Sequence, residues 1–352
     1  MRANVNIMAF LEIKNVRIAG IATGVPKHIE YTKDNPSISA DYNYEEFIKS
    51  TGVEQRRIDN RFTTSDLCYT AAEKLIIDLK WDKKDIEAII FVSQGPDYVA
   101  PNTACILQDR LGLSKECYAL DSTLGCSGWV YGLSQLASLM ASGCIKKALL
   151  MAGDAKFVMP IPDPLASYAG TVTALEYDEG NDGFKFHFGT DGSGWDAIYI
   201  PDGGARNGVT PDSFRVEEVN GRSMCNLQSH MNGMDVFSFA ISTAPKSIKK
   251  ALEHYGFSLE EIDYCILHQA NMQIDEVIRG KLKLPKEKVP YSLHKFGNTS
   301  SATIPITINT ELRGKIENKP TLFIACGFGV GLSWGTVLFS TYNIVLSDLV
   351  EV

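Results

Sequence analysis

Two stretches of this 352-residue chain carry no charge, and they stand at matching places in an internal repeat. Across residues 127–143, Trp129, Val130, Leu133, Leu136, Leu139 and Met140 alternate with Gly, Ser and Ala. Residues 299–310 are again uncharged. A helix that is apolar or small on every side is buried on every side. Two such helices, expected over 127–143 and 299–310, predict a central helical layer between two sheets.

The flanking strands repeat as well. Residues 85–92 share their pattern with 261–268, and 147–153 share theirs with 320–326. The latter two are short apolar runs ending in small residues, as expected of strands buried on both faces. Gly125-Cys126 precedes the first uncharged helix and Gly297-Asn298 precedes the second. Cys126 and Asn298 therefore hold equivalent places at two helix N-termini, and a pseudo-two-fold packing would bring them together. The expected organisation is a flexible extension over 1–12, one half over 13–180 and a second over 181–352, with the boundary near 178–182. Amphipathic spacing predicts further helices at 65–79 and 244–254.

Several function classes are excluded at this stage. The net charge of -8 gives no general basis for nucleic-acid binding, although a local basic patch is compatible with it. No apolar run reaches the ~18 residues of a membrane span, and the N-terminus lacks the pattern of a secretory signal. Eight cysteines without CxxC spacing indicate neither a zinc site nor a disulfide framework. Reduced thiols in the cytoplasm are the expectation.

The residues that can do chemistry are few. Cys126 lies in Leu124-Gly125-Cys126-Ser127-Gly128, a tight turn into a buried helix, where the helix dipole favours a thiolate. A free cysteine is more often a small buried hydrophobe, and Cys117, Cys144, Cys265 and Cys326 are read that way, as core or strand residues. For Cys126 the turn and the repeat symmetry favour function. His268 ends an apolar strand, a place where α/β folds put functional groups, and a satisfied core histidine is the competing reading. Asn298 alone reads as a helix N-cap. His294 is read as a surface residue of a polar loop. Gly327-Phe328-Gly329-Val330-Gly331 follows a buried strand but lacks the Lys-Ser or Lys-Thr of a phosphate loop. Close backbone approach to a ligand, or an oxyanion site, fits it better.

Taken together and in order, these motifs resemble the ketoacyl-ACP synthase III branch of the thiolase superfamily over residues 13–339. The resemblance rests on Thr51-Gly52-Val53 with Arg56-Arg57, on 121–128, on His268-Gln269-Ala270-Asn271, on Gly297-Asn298-Thr299-Ser300, and on 327–335 with Trp334. It implies an α/β fold of five αβαβα layers in two pseudo-symmetric halves, a homodimer, and a Cys126, His268, Asn298 triad. It implies an oxyanion hole at the N–H groups of Cys126 and Val330, with Gly329, Gly331, Phe328 and Asn271 on the substrate side. The implied reaction begins with acylation of Cys126. A malonyl-type thioester then loses carbon dioxide, its enolate held by His268 and Asn298, and attacks the acyl group. Acyl carrier protein and acyl and malonyl thioesters are the implied partners, in fatty acid or polyketide biosynthesis, with no metal or redox cofactor.

The sequence also departs from that family's pattern. Glu46 stands where an aromatic platform for the coenzyme A adenine is usual, the segment at 162–169 is shortened, and 169–173 replaces a Gly-Asp-Gly-Ala-Gly run. Gln273 replaces an arginine, and Ala100 replaces a pocket phenylalanine. These changes point to a specialised pathway with a carrier-bound, medium or branched acyl donor. Lys246, Lys249, Lys250, Arg279 and Lys281 are either a docking patch for an acidic carrier or ordinary solvated faces. Two other functions stay open: a same-fold acyltransferase acting on an alcohol or amine, and a non-catalytic partner subunit.

Overall fold

The computed structural model describes residues 9–35, 43–155, 164–219 and 222–352. Its principal strands are β1 (Ala9–Ile13), β2 (Val16–Val25), β3 (Ala88–Val92), β4 (Tyr118–Ser122), β5 (Lys147–Asp154), β6 (Ala169–Tyr177), β7 (Phe184–Thr190), β8 (Tyr264–Leu267), β9 (Thr321–Gly329), β10 (Ser333–Thr341), β11 (Val345–Leu346) and β12 (Val350–Glu351). The principal helices are α1 (Tyr44–Thr51), α2 (Thr64–Leu79), α3 (Thr103–Arg110), α4 (Gly128–Met140), α5 (Gly233–Tyr255), α6 (Met272–Leu282) and α7 (Thr303–Glu311).

Two mixed sheets organise these elements. The first runs β11-β2-β6-β5-β3-β4, with β12 also on β2, and the second runs β1-β7-β10-β9-β8. In each, a parallel pair (β3 with β5, β8 with β9) is followed by an antiparallel one (β5 with β6, β9 with β10). That shared order makes the repeat seen in the sequence a repeat of structure.

Strand alternation assigns the layers, because successive side chains point to opposite faces. On β5, Ala148, Leu150 and Ala152 pack inward with Trp129, Leu133 and Leu136 of α4. Leu149 and Met151 face the other way, onto Ala71, Leu75 and Ile76 of α2. On β9, Phe323 and Ala325 join the inner core with Ile304 and Ile308 of α7. Ile324 and Cys326 face Ala244, Ile248 and Ala251 of α5. The order is therefore α2 and α3, first sheet, α4 and α7, second sheet, α5 and α6. The five αβαβα layers are present. Trp129, fully buried, donates from Nε1 to Thr173 Oγ1 at 3.0 Å, so the largest core side chain leaves no orphaned donor.

Four expectations change. The first dozen residues are not all a loose extension: Ala9–Ile13 is an edge strand of the second sheet, paired antiparallel with Phe184–Phe188. The rest of that segment, residues 1–8, lies outside the described residues. The helix expected at 244–254 begins eleven residues earlier, at Gly233, where Asn232 Oδ1 accepts from Met234 N and Asp235 N. Pro245 sits inside it, and because proline favours the first turn of a helix the sequence places the start beside it. The second uncharged stretch starts as a 3-10 turn, Ser300–Ala302, before becoming α7. Cys144, expected in the core, is exposed, and Cys117 is half-buried.

Candidate active site

Cys126 occupies a niche floored by glycines. Gly128 N donates to Gly125 C=O at 2.7 Å, closing the turn into α4. A side chain on Gly329 would begin 2.7 Å from Cys126 Cβ and 3.0 Å from its Sγ, so only glycine lets β9 pass this close. The N–H groups of Cys126 and Val330 both interact with the sulfur and favour its charged form.

Those donors do not win. Burial, followed by the negative charge of Asp154, pushes the Cys126 thiol up to about 11. The Ser300 hydroxyl and the two N–H groups offset this only in part. The expectation that the helix N-terminus would favour a Cys126 thiolate is therefore corrected, because desolvation outweighs the donors that meet the sulfur. The residue still keeps part of its surface accessible, as a nucleophile must. The other cysteines differ: Cys265 and Cys326 are buried in the outer core of the second sheet.

His268 follows β8 and is 2% exposed. Its Nδ1 lies 2.8 Å from Thr303 Oγ1, which also lies 2.9 Å from Ser300 C=O. The Thr303 hydroxyl has one proton and two acceptors, so its direction sets the imidazole tautomer. Burial lowers the His268 pKa to about 3, only partly opposed by the Ser300 backbone, so the ring is neutral. The Phe328 ring packs edge-on to it at 5.4 Å.

Asn298 is held by its surroundings. Its N–H donates to Leu165 C=O at 2.8 Å, and its C=O accepts from Ser167 N at 3.0 Å. Its Oδ1 accepts from Ser300 N at 2.9 Å, which leaves the Nδ2–H group as a free-facing donor. Gly297 precedes it at φ +58, where a side chain would start 2.7 Å from Leu165 C=O.

Ser300 thus connects the three expected residues. Its N–H meets Asn298, its C=O meets Thr303 beside His268, and its hydroxyl stands next to Cys126. Sequence reasoning passed over it, and over Asp154 at the end of β5. The available signal for Asp154 was a single carboxylate closing an otherwise uncharged buried strand from Ala148 to Gly153.

Other expected residues are placed differently. Asn271 caps α6, accepting from Ile274 N at 2.8 Å, so its oxygen is committed to the helix. Val330 and Gly331 line a cavity of about 400 Å3 together with Trp195, Ile198, Tyr199, Ile200 and Gln94. His294 is half-buried within a short helix, Leu293–Phe296, rather than in a loop. Arg279 is taken up by Glu276 and Leu284 C=O, and Lys281 Nζ by Ile241 C=O. Of the expected basic patch, Lys246, Lys249 and Lys250 remain as exposed charges, Lys246 Nζ donating to Ser242 Oγ at 3.1 Å. Part of the shortened 162–169 segment lies outside the described residues. Among the described residues, no cluster of His, Cys, Asp or Glu is placed to hold a metal, and no helix is long and apolar enough to cross a membrane.

The chain is similar to known proteins along most of its length. Residues 252–341 match the family described as 3-oxoacyl-[acyl-carrier-protein] synthase III C terminal. A beta-ketoacyl-[acyl-carrier-protein] synthase III of Rhodopirellula baltica is 31% identical, across 93% of this chain and 99% of its own length. The chain belongs to the 3-oxoacyl-[acyl-carrier-protein] synthase III family. A further synthase III of this family, from Geobacillus kaustophilus, is 34% identical over 83% of this chain and 89% of its own. The crystal structure of a 3-oxoacyl-(acyl-carrier protein) synthase from Burkholderia xenovorans superposes with a TM-score of 0.90 at 33% identity, covering 99% and 100% of the two chains. A synthase III of this kind is a condensing acyltransferase with a thiolase-like fold.

Proposed function

We propose that this synthase carries an acyl group as a thioester on Cys126 and condenses it with a malonyl-type thioester on acyl carrier protein. The observation that carries the reading is the convergence of the Cys126 and Val330 N–H groups on Sγ. Donors that meet the sulfur also meet the oxygen of a carbonyl bonded to it, which is what an oxyanion hole requires. In the second half-reaction the Thr303 hydroxyl turns its one proton from the Ser300 C=O onto His268 Nδ1, so the neutral imidazole donates from Nε2, and Asn298 donates from Nδ2. Both hold the enolate oxygen as carbon dioxide leaves. As read, this chemistry calls for no metal or redox cofactor, since N–H donors meet each developing charge. Unpaired cysteines at all eight positions suit a cytoplasmic setting.

The donor we infer is carrier-bound and longer than acetyl. Glu46 is exposed on α1 where an aromatic platform would stand. Loss of base stacking weakens nucleotide binding by roughly 1–3 kcal/mol, or about 5- to 150-fold. A carrier-bound donor has no adenine to hold and escapes this loss. The apolar wall of Trp195, Ile198, Tyr199 and Ile200 gives a medium or branched chain a place beside Val330. Such a donor suits a specialised pathway, of fatty acid or polyketide type, more than housekeeping chain initiation. The test compares Cys126 acylation, followed by intact mass, for acetyl-CoA and for carrier-bound donors of several lengths. We expect a carrier-bound medium or branched donor to react fastest. Faster acylation by acetyl-CoA than by every carrier-bound donor overturns the donor assignment. Carbon dioxide release from the malonyl thioester separates condensation from transfer to an alcohol or amine.

We also infer a homodimer. Strand β4 ends the first sheet with its outer edge unpaired among the described residues. Near it Tyr98 and Tyr118 are exposed and Val99 projects fully into solvent. An open edge beside exposed apolar side chains is a surface that pairs with another chain. Sedimentation at micromolar concentration should give twice the chain mass, and a monomer there rejects the inference.

A further inference from the structure

Asp154 is buried at the end of β5, 3% exposed. Its Oδ1 accepts from Ser93 Oγ and from Gln94 N, both at 2.8 Å. Its Oδ2 is buried with no formed hydrogen bond, and so is Ser300 Oγ. These two orphaned atoms belong to neighbouring groups: the Ser300 hydroxyl stands beside the Asp154 carboxyl on one side and the Cys126 sulfur on the other. Buried polar atoms without partners are uncommon and call for a reason.

The backbone fixes that hydroxyl in place. Ser300 has φ +55, a left-handed conformation seldom adopted by residues other than glycine. Its N–H is tied to Asn298 and its C=O to Thr303. Strain kept at such a position points to function more than to folding.

Cys126 also needs somewhere to send a proton. Burial keeps its thiol protonated at neutral pH, yet attack on a carbonyl requires the sulfur lone pair. His268 Nδ1 is engaged with Thr303. Asp154, raised by burial to about 6, is ionised at pH 7 and only weakly acidic. That suits a group that must take a proton and return it.

We propose that Ser300 and Asp154 form the exit path for the Cys126 proton. As sulfur attacks the acyl thioester, the S–H proton passes to Ser300 Oγ, and the Ser300 hydroxyl proton passes to Asp154 Oδ2. A sulfur–carbon bond forms at Cys126 and the bond from the carbonyl carbon to the leaving thiolate breaks. The leaving thiolate recovers the proton by the reverse passage, and the carboxylate is regenerated. Asp154 acts through Ser300 and is a positioning and proton-holding residue. The inference rests on the reading that Cys126 carries the acyl group.

Two simpler roles compete. Asp154 ties Ser93 and Gln94 to the end of β5, which is a structural task. Its charge also opposes the Cys126 thiolate directly. The titratable groups around it are Cys126, Cys68 of α2 and, beyond Cys68, Asp97, and none is cationic.

Asp154→Asn separates these roles, because the amide oxygen still accepts from Ser93 and Gln94. We expect acylation of Cys126 at pH 7 to fall about 100-fold, within the usual range for general acid–base help, with the melting temperature unchanged. Ser300→Ala should give a similar loss, and the double variant little more than either single one. A second arm needs no substrate: iodoacetamide alkylation of Cys126, read on its own peptide by mass spectrometry, from pH 5 to 9. Wild type should rise through the ionisation of Asp154 near pH 6 and then level. Asp154→Asn should lose that step and climb about tenfold per pH unit. If the variant is alkylated faster than wild type at every pH, the carboxylate only repels the thiolate and the path is refuted. A loss uniform across pH, with a lowered melting temperature, assigns Asp154 to structure and also refutes it. Wild type that takes up no acyl group contradicts the proposed function instead, while the alkylation profiles still decide the proton path.

Discussion

Replacing Cys126 with alanine is expected to abolish labelling of this synthase by acyl thioesters. The loss should be at least about 1,000-fold, roughly 4 kcal/mol of barrier, because no other group in the niche can form the thioester. Gly329 presses on Cys126 from β9 and the two N–H donors converge on its sulfur, and no other cysteine shares that setting. Cys326 is buried and receives a hydrogen bond from Thr336 Oγ1, and Cys117 is half-buried ahead of β4. Cys326→Ala and Cys117→Ala should therefore label normally on a folded protein. Retained labelling in Cys126→Ala, or its loss in either control with the fold intact, would show that the nucleophile lies elsewhere.

The second large effect should divide the two half-reactions. Asn298→Ala is expected to leave Cys126 acylation within about tenfold, at most about 1.4 kcal/mol. Condensation should fall about 100-fold or more, as when an oxyanion donor is removed. The orientation of the side chain gives the reason: Oδ1 is committed to Ser300 N, so Nδ2 is the end free to donate. Alanine also withdraws the acceptor that holds Ser300, so Asn298→Asp is the cleaner partner experiment. It keeps an oxygen for Ser300 N and removes the donor. Single-turnover acylation and carbon dioxide release, measured separately, check both variants. Equal losses in the two half-reactions would contradict the division of labour.

Much of the fold was legible because burial leaves a compositional mark. Residues surrounded by protein on every side seldom carry charge, so the uncharged stretches at 127–143 and 299–310 could be read as a central layer. Strand pairs at 88–92 and 264–267, and at 147–154 and 321–329, were legible for the same reason. The site was legible where a turn and a helix start coincide, at Cys126 and Asn298. Pairing partners distant in sequence were not. Nothing in residues 9–13 states that they lie against Phe184–Phe188, since a short edge strand has one neighbour and little pattern of its own. Ionisation was misread for a related reason. A helix start is visible in sequence, whereas the desolvation that raises the Cys126 thiol depends on β9, Asp154 and Ser300 meeting in space. Ser300 itself sat inside a quoted motif. Its importance comes from a backbone angle that no residue preference announces.

The two halves are laced together at the chain ends. Strand β1, from the very start, completes the second sheet, while β11 and β12, from the very end, lie against β2 of the first. Val352 closes the arrangement by exchanging backbone hydrogen bonds with Val25 and Lys27, and Arg57 reaches across to Glu351. During synthesis the N-terminal half therefore emerges with its first long strand still missing a neighbour, which lies beyond the whole of the second sheet in the chain. At equilibrium so large a loop adds little cost, since closure entropy grows by only about 0.6 kcal/mol per doubling of length. In time it counts for more, because contacts between distant residues form last. Neither sheet has all its strands until both halves have been made, and the duplicated architecture matures as one unit although its sequence reads as two.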